Sequence, residues 1–116
     1  MDAVPNYTAV TDLPLQWQGD TLPAMGFQID YPDATPMIPE SVCAVLMNKV
    51  GVVVWTYDAN IDPVTGRVVL PEITGISAQK LRSGDHSYAV KYIMTGGYER
   101  TYFTGSIQFK AGAPKC

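Results

Sequence analysis

Asp58-Ala59-Asn60-Ile61-Asp62 places an oxygen-bearing side chain at every second position, the spacing with which a calcium-binding loop begins. The rest of such a loop is missing. Pro63 stands where a glycine makes the sharp turn, and Val69 stands where a bidentate glutamate closes the coordination sphere. These residues are suited instead to capping a turn, because Asp and Asn side chains accept hydrogen bonds from backbone N–H groups a little further along the chain. No metal and no other cofactor is expected.

His86 is the single histidine and follows Asp85 directly. Neighbours in a strand point to opposite faces, so this pair is not expected to form an oriented carboxylate–imidazole couple. Cys43 lies in the apolar run Val42-Cys43-Ala44-Val45-Leu46-Met47 and reads as a small buried hydrophobe, with nothing beside it to ionise the thiol. The other cysteine is Cys116, so no disulfide framework is expected. The carboxylates Asp30, Asp33, Glu40, Asp58, Asp62, Glu72 and Asp85 all fall in or near turns. Glycoside hydrolysis needs two carboxylates held together in a cleft, which a small domain of tight turns does not offer. No nucleophile elbow is present. No catalytic residue is assigned, and the chain reads as a non-enzyme.

Aromatic residues are the remaining source of function. Trp17, Trp55, Tyr7, Tyr31, Tyr57, Tyr98 and Tyr102 suit either a stacking platform for sugars or a protein interface. Tyr98 and Tyr102, with Arg100 between them, fall near a hairpin tip and are expected to be exposed. Together with Val4 and Tyr7 they make up the candidate interface.

That tip belongs to the most legible element of the chain. Two alternating runs, His86 to Thr95 and Tyr98 to Phe109, flank Gly96-Gly97, and a glycine pair there signals a two-residue turn. Such a turn pairs Thr95 with Tyr98. Further in, Tyr92 falls opposite Thr101, Val90 opposite Phe103, Tyr88 opposite Gly105 and His86 opposite Ile107. The expected core face is Tyr88, Val90, Phe103, Ile107 and Phe109, with the Tyr88 ring lying over the bare backbone of Gly105.

Nine prolines and ten glycines punctuate short runs of Val, Ile, Tyr, Phe and Thr, the pattern of an antiparallel, immunoglobulin-like β-sandwich. About seven to eight short strands and one short helical turn between Ile73 and Leu81 are expected. Leu13 to Trp17 reads as an edge strand because of Pro14, and Met25 to Asp30 as the next. Tyr31 to Pro39, with its prolines, reads as a loop crossing between sheets. Ser41 to Met47 and Gly51 to Tyr57 are apolar on both faces and read as central strands joined by a turn at Asn48-Lys49-Val50-Gly51. Asp62 to Gly66 turns the chain into Arg67-Val68-Val69-Leu70. The organisation is a flexible arm over 1–11, one sandwich domain over 12–110 and a tail over 111–116.

Net charge is −3, with eight basic residues scattered singly, so no basic stripe is available for nucleic acid. The longest apolar stretch, Val50 to Trp55, is far short of the ~20 residues that span a bilayer. Neither nucleic acid nor membrane is an expected partner. No secretion signal opens the sequence, which points to a cytoplasmic site of synthesis and folding.

Several segments, taken in order, resemble a module of bacteriophage virion proteins. They are Trp17-Gln18-Gly19-Asp20-Thr21, the small-residue strand at 41 to 47, Lys49-Val50-Gly51-Val52-Val53 and Gly66-Arg67-Val68-Val69-Leu70. They continue through Ala78-Gln79-Lys80-Leu81-Arg82-Ser83-Gly84, Tyr88-Ala89-Val90 and Thr104-Gly105-Ser106-Ile107-Gln108-Phe109. The chain is similar in these to the N-terminal domain of siphophage baseplate upper proteins and to immunoglobulin-like tail or head-fibre adaptor domains. The resemblance implies a virion structural protein of the tail, baseplate or head fibre, assembled in the bacterial host cytoplasm. Its implied partners are other virion structural proteins and further copies of itself in a homo-oligomer. An immunoglobulin-like carbohydrate-binding module that uses exposed aromatics is the alternative expectation.

Overall fold

The computed structural model describes residues 9–74 and 81–111. Nine strands run in chain order: β1 (Ala9–Val10), β2 (Gln16–Trp17), β3 (Met25–Phe27), β4 (Ser41–Asn48), β5 (Val53–Tyr57), β6 (Asn60–Ile61), β7 (Val68–Leu70), β8 (Gly84–Ile93) and β9 (Glu99–Lys110). They form two sheets. The larger has the order β1-β9-β8-β4-β5, with β2 also on β9, and the smaller has the order β3-β7-β6. The fold is the expected all-β sandwich.

Alternation of side chains explains why these runs form strands with one face inward. In β8, His86, Tyr88, Val90 and Tyr92 are buried while the residues between them are half-buried. Ala44 and Leu46 of β4 and Ile107 and Phe109 of β9 share that inner face, and Val68 and Leu70 of β7 meet it from the smaller sheet. The Tyr31–Pro39 segment carries the chain from one sheet to the other, as expected. It does so by way of a tight turn, with the Ala34 N–H donating to Tyr31 O at 2.8 Å, and it drops Met37 into the core. The expected helical turn falls largely on residues 75–80, which lie outside the described residues. At its flanks, Ile73 bridges Leu22, and Leu81 is buried.

The long hairpin differs from expectation at its tip and agrees with it further in. Gly97 N–H donates to Met94 O at 3.1 Å and Met94 N–H to Tyr98 O at 2.8 Å, so the loop is Thr95-Gly96-Gly97 and not the glycine pair alone. Ile93 therefore faces Glu99, Tyr92 faces Arg100 and Lys91 faces Thr101. A β-bulge that inserts Tyr102 then restores the expected register, and Val90 faces Phe103, Tyr88 faces Gly105 and His86 faces Ile107.

Four other expectations change. Ala9 and Val10, read as part of the arm, run parallel to β9, and Thr11 N–H continues the ladder to Thr104 O at 2.9 Å. Only Gln16–Trp17 of the expected Leu13–Trp17 strand is paired as strand, because Pro14 interrupts the ladder between β1 and β2. Cys43 is exposed, since it lies on the outer face of β4 while Ala44 faces the core. Finally, β4 is central as expected, but β5 lies at the sheet edge: the chain leaves it at Asp58 for the smaller sheet, and no further strand follows on that side among the described residues.

Candidate functional site

The two edges of the larger sheet are built differently. On the β9 side, β1 and β2 run one after the other along the strand from Phe103 to Lys110, helped by the Asp12 carboxylate, which accepts the Ser106 N–H at 3.0 Å. On the other side, β5 pairs only with β4 among the described residues. Val53 and Val54 of β5 are exposed, and so are Val50 and Val52 in the turn that leads into it, with Val50 reaching 79%. From Val50 to Tyr57 the chain carries no charged residue and no proline. Natural sheet edges are normally guarded by such residues, so this one stands out as open to pairing.

The turn that starts β5 is rigidly made. Asn48 Oδ1 accepts the N–H groups of Val50 at 3.1 Å and Val52 at 3.0 Å, and Gly51 N–H donates to Asn48 O at 3.0 Å with a φ of 87°. These bonds turn the backbone of 50–52 inward, so the free edge begins at Val53. Leu46 pairs with Trp55 and Met47 with Val53, which leaves Val54 as the extra residue of a bulge. Bulges re-aim side chains. Here Val54 joins Val50 in lining a recess of about 440 Å³ between the β4–β5 turn and the start of β8.

Asn48, Lys49, Arg82, Ser83, Gly84, Asp85 and His86 complete the lining of that recess. His86 is 6% exposed; its ring packs edge-on against Phe109 at 4.7 Å, and Nδ1 lies 3.1 Å from Gly84 O. A carbonyl can only accept, so Nδ1 carries the proton in this bond and Gly84 O is satisfied. Neither Lys49 nor Arg82 forms an ion pair among the described residues.

The residues singled out in the sequence fare unevenly. Val4 and Tyr7 lie outside the described residues. Tyr98 is 45% exposed, but Tyr102, expected beside it at the surface, is 2% exposed. The bulge inserts Tyr102 on the inner face, where its ring meets Tyr92 edge-on at 5.4 Å and the Arg100 guanidinium lies 5.9 Å from its centroid. Burial, followed by the hydrogen bond with Tyr98, pushes its phenol up to about 12. Asp62 caps the Asp62–Gly66 turn: its Oδ1 accepts the N–H groups of Val64 at 2.8 Å and Thr65 at 3.2 Å, which holds its carboxyl below the usual range. Lys49, Val53, Val54 and Arg82, which carry no motif, are not among the residues singled out in the sequence. A signal was present in the uncharged, β-branched run before Tyr57, which was assigned to a sheet interior.

No protein-family model matches this chain, and no curated protein matches it either. Among solved structures, the crystal structure of CopC from Methylosinus trichosporium OB3b is similar, with a TM-score of 0.52 over 97% of this chain and 92% of that one, at 8% identity. At that identity the likeness establishes the fold, a β-sandwich, and nothing finer. It also corrects the expectation of a bacteriophage virion structural protein, since CopC, a neighbour that spans nearly the whole chain, is not a tail, baseplate or head-fibre component. The carbohydrate-binding alternative gains no support from it.

Proposed function

We propose that this chain is a non-catalytic β-sandwich module that works by joining a second copy of itself along β5. The observation that carries the reading is the unguarded edge: Val53 to Tyr57 offers backbone groups on one side, with exposed valines and no charge. Antiparallel pairing about a two-fold axis centred on Trp55 sets Val53 opposite Tyr57 of the second copy. Such an interface is isologous, so a strand must tolerate its own reverse. This one does, because it has no charge along its length to meet its like.

Charge at the two ends favours the same arrangement. Lys49 precedes the strand and Asp58, exposed, follows it. Reversing one copy against the other brings Lys49 toward Asp58 of the second copy, and the two-fold repeats the attraction at the other end. The bulge at Val54 is the single guarding device on this edge, and it leaves Trp55, Thr56 and Tyr57 as regular strand beyond it.

Sedimentation velocity over a range of protein concentrations tests this. Wild type should shift from monomer to dimer as concentration rises, while Val53→Lys, which places a charge on an already exposed position, should stay monomeric with an unchanged melting temperature. A wild-type chain that remains monomeric throughout overturns the reading.

A further inference from the structure

We infer that the recess between the β4–β5 turn and the start of β8 is a carboxylate-binding site. Its lining carries two cationic side chains and a single carboxylate. Lys49 and Arg82 both border it without an ion-pair partner among the described residues, and Ser83 adds a hydroxyl. The acceptors nearby are already committed or few: Gly84 O takes the His86 Nδ1 proton, Asn48 Oδ1 takes two backbone N–H groups, and Asp85 is the one carboxylate in the lining. Two cations against one anion is a local excess of positive charge in a chain whose net charge is −3.

Size and polarity narrow the class further. A recess of about 440 Å³ is larger than a bare inorganic ion needs, and Val50 and Val54 add apolar surface to its lining. The backbone at Gly84 is open to approach, since a Cβ built there meets nothing within 4 Å. An arginine guanidinium presents paired N–H groups that match the two oxygens of a carboxylate, with Lys49 as a second, mobile positive charge. The ligand is therefore a carboxylate carried on a short apolar stem.

Two sources share that chemistry: a free short-chain acid, and the Asp58 side chain of a second copy paired along β5. The second source rests on the reading proposed above, and the first does not. The experiment therefore has two arms. In the first, Val53→Lys protein is titrated with butyrate, and with butyramide as the uncharged control, following the amide resonances of Val50, Val54 and His86 by NMR. Saturable shifts with butyrate alone, weakened at least tenfold by Arg82→Ala, identify a site for a free acid. In the second, wild type, Arg82→Asp, Asp58→Arg and the combined charge swap are compared by sedimentation. Dimerisation lost in each single variant and regained in the swap assigns the carboxylate to the second copy. Butyrate shifts that butyramide reproduces, or that survive Arg82→Ala, together with a swap that restores nothing, overturn the inference. In that event a dimer blocked by Val53→Lys alone would leave edge pairing standing without the recess.

Discussion

Gly105 shows how a single missing side chain holds two parts of the sandwich together. A Cβ there would collide with Thr11 O and lie 2.5 Å from the Tyr88 ring. Tyr88 crosses over the glycine and donates its hydroxyl to Thr11 O at 2.7 Å, fastening the segment after β1 to the hairpin beneath it. Gly105→Ala should therefore destabilise the protein by about 2–3 kcal/mol, because the obstacle on one side is backbone that cannot step aside. Urea denaturation checks this, and Tyr88→Phe should cost about 1 kcal/mol by removing one hydrogen bond. The ring over the glycine was legible in the sequence, since a large aromatic opposite a glycine has one place to go. The third layer, Thr11, was not, because contact between Thr11 and Tyr88 depends on a parallel pairing that no local pattern announces. Tyr102 was misplaced for a related reason: alternation assigns it to the outer face, and only the bulge turns it inward.

Among elements, the contrast between β4 and β5 marks how far pattern reading reaches. Both runs are apolar at successive positions, and both looked central. For β4 that is right in topology, although one face still leaves Cys43 in solvent. For β5 it fails, because hydrophobicity reports a tendency to be covered and says nothing of whether a neighbour in the same chain does the covering. The candidate site was hidden by the same ambiguity. The opposite edge yields its own prediction. Asp12 supplies a side-chain acceptor to Ser106 N–H beside the break made by Pro14. In Asp12→Ala, hydrogen exchange at the Ser106 amide should accelerate, while amides shared by β4 and β8 keep their protection. Uniform acceleration would mean that β1 and β2 are not separable from the rest of the sheet.

At the scale of the whole molecule, the core contains phenols that must stay protonated. Burial pushes Tyr57 and Tyr92 up to about 12 from 10.0, with Tyr88 and Tyr102 respectively adding to the effect. The unfolded chain releases these protons near pH 10 and the folded chain only near 12. The stabilisation is therefore whole below pH 10 and lost as pH rises from 10 through 12, by about 2–3 kcal/mol per phenol. Denaturation midpoints should be level from pH 8 to 9.5 and fall steeply above 10. The Tyr92 hydroxyl is buried with no hydrogen-bond partner among the described residues. Tyr92→Phe should therefore hold or raise stability at neutral pH, by up to about 1 kcal/mol, and flatten the alkaline decline. A decline unchanged in that variant would place the titrating groups elsewhere.

The split strand along β9 also gives the larger sheet two unlike edges. One is made of β1 and β2, two residues each on either side of Pro14, and the other is the continuous five-residue β5. If two molecules pair along β5 as proposed, the edge that each still shows is the short, interrupted one. Short, broken edge strands are poor templates for further pairing, so an assembly of that kind would end at two copies rather than run on into a fibre.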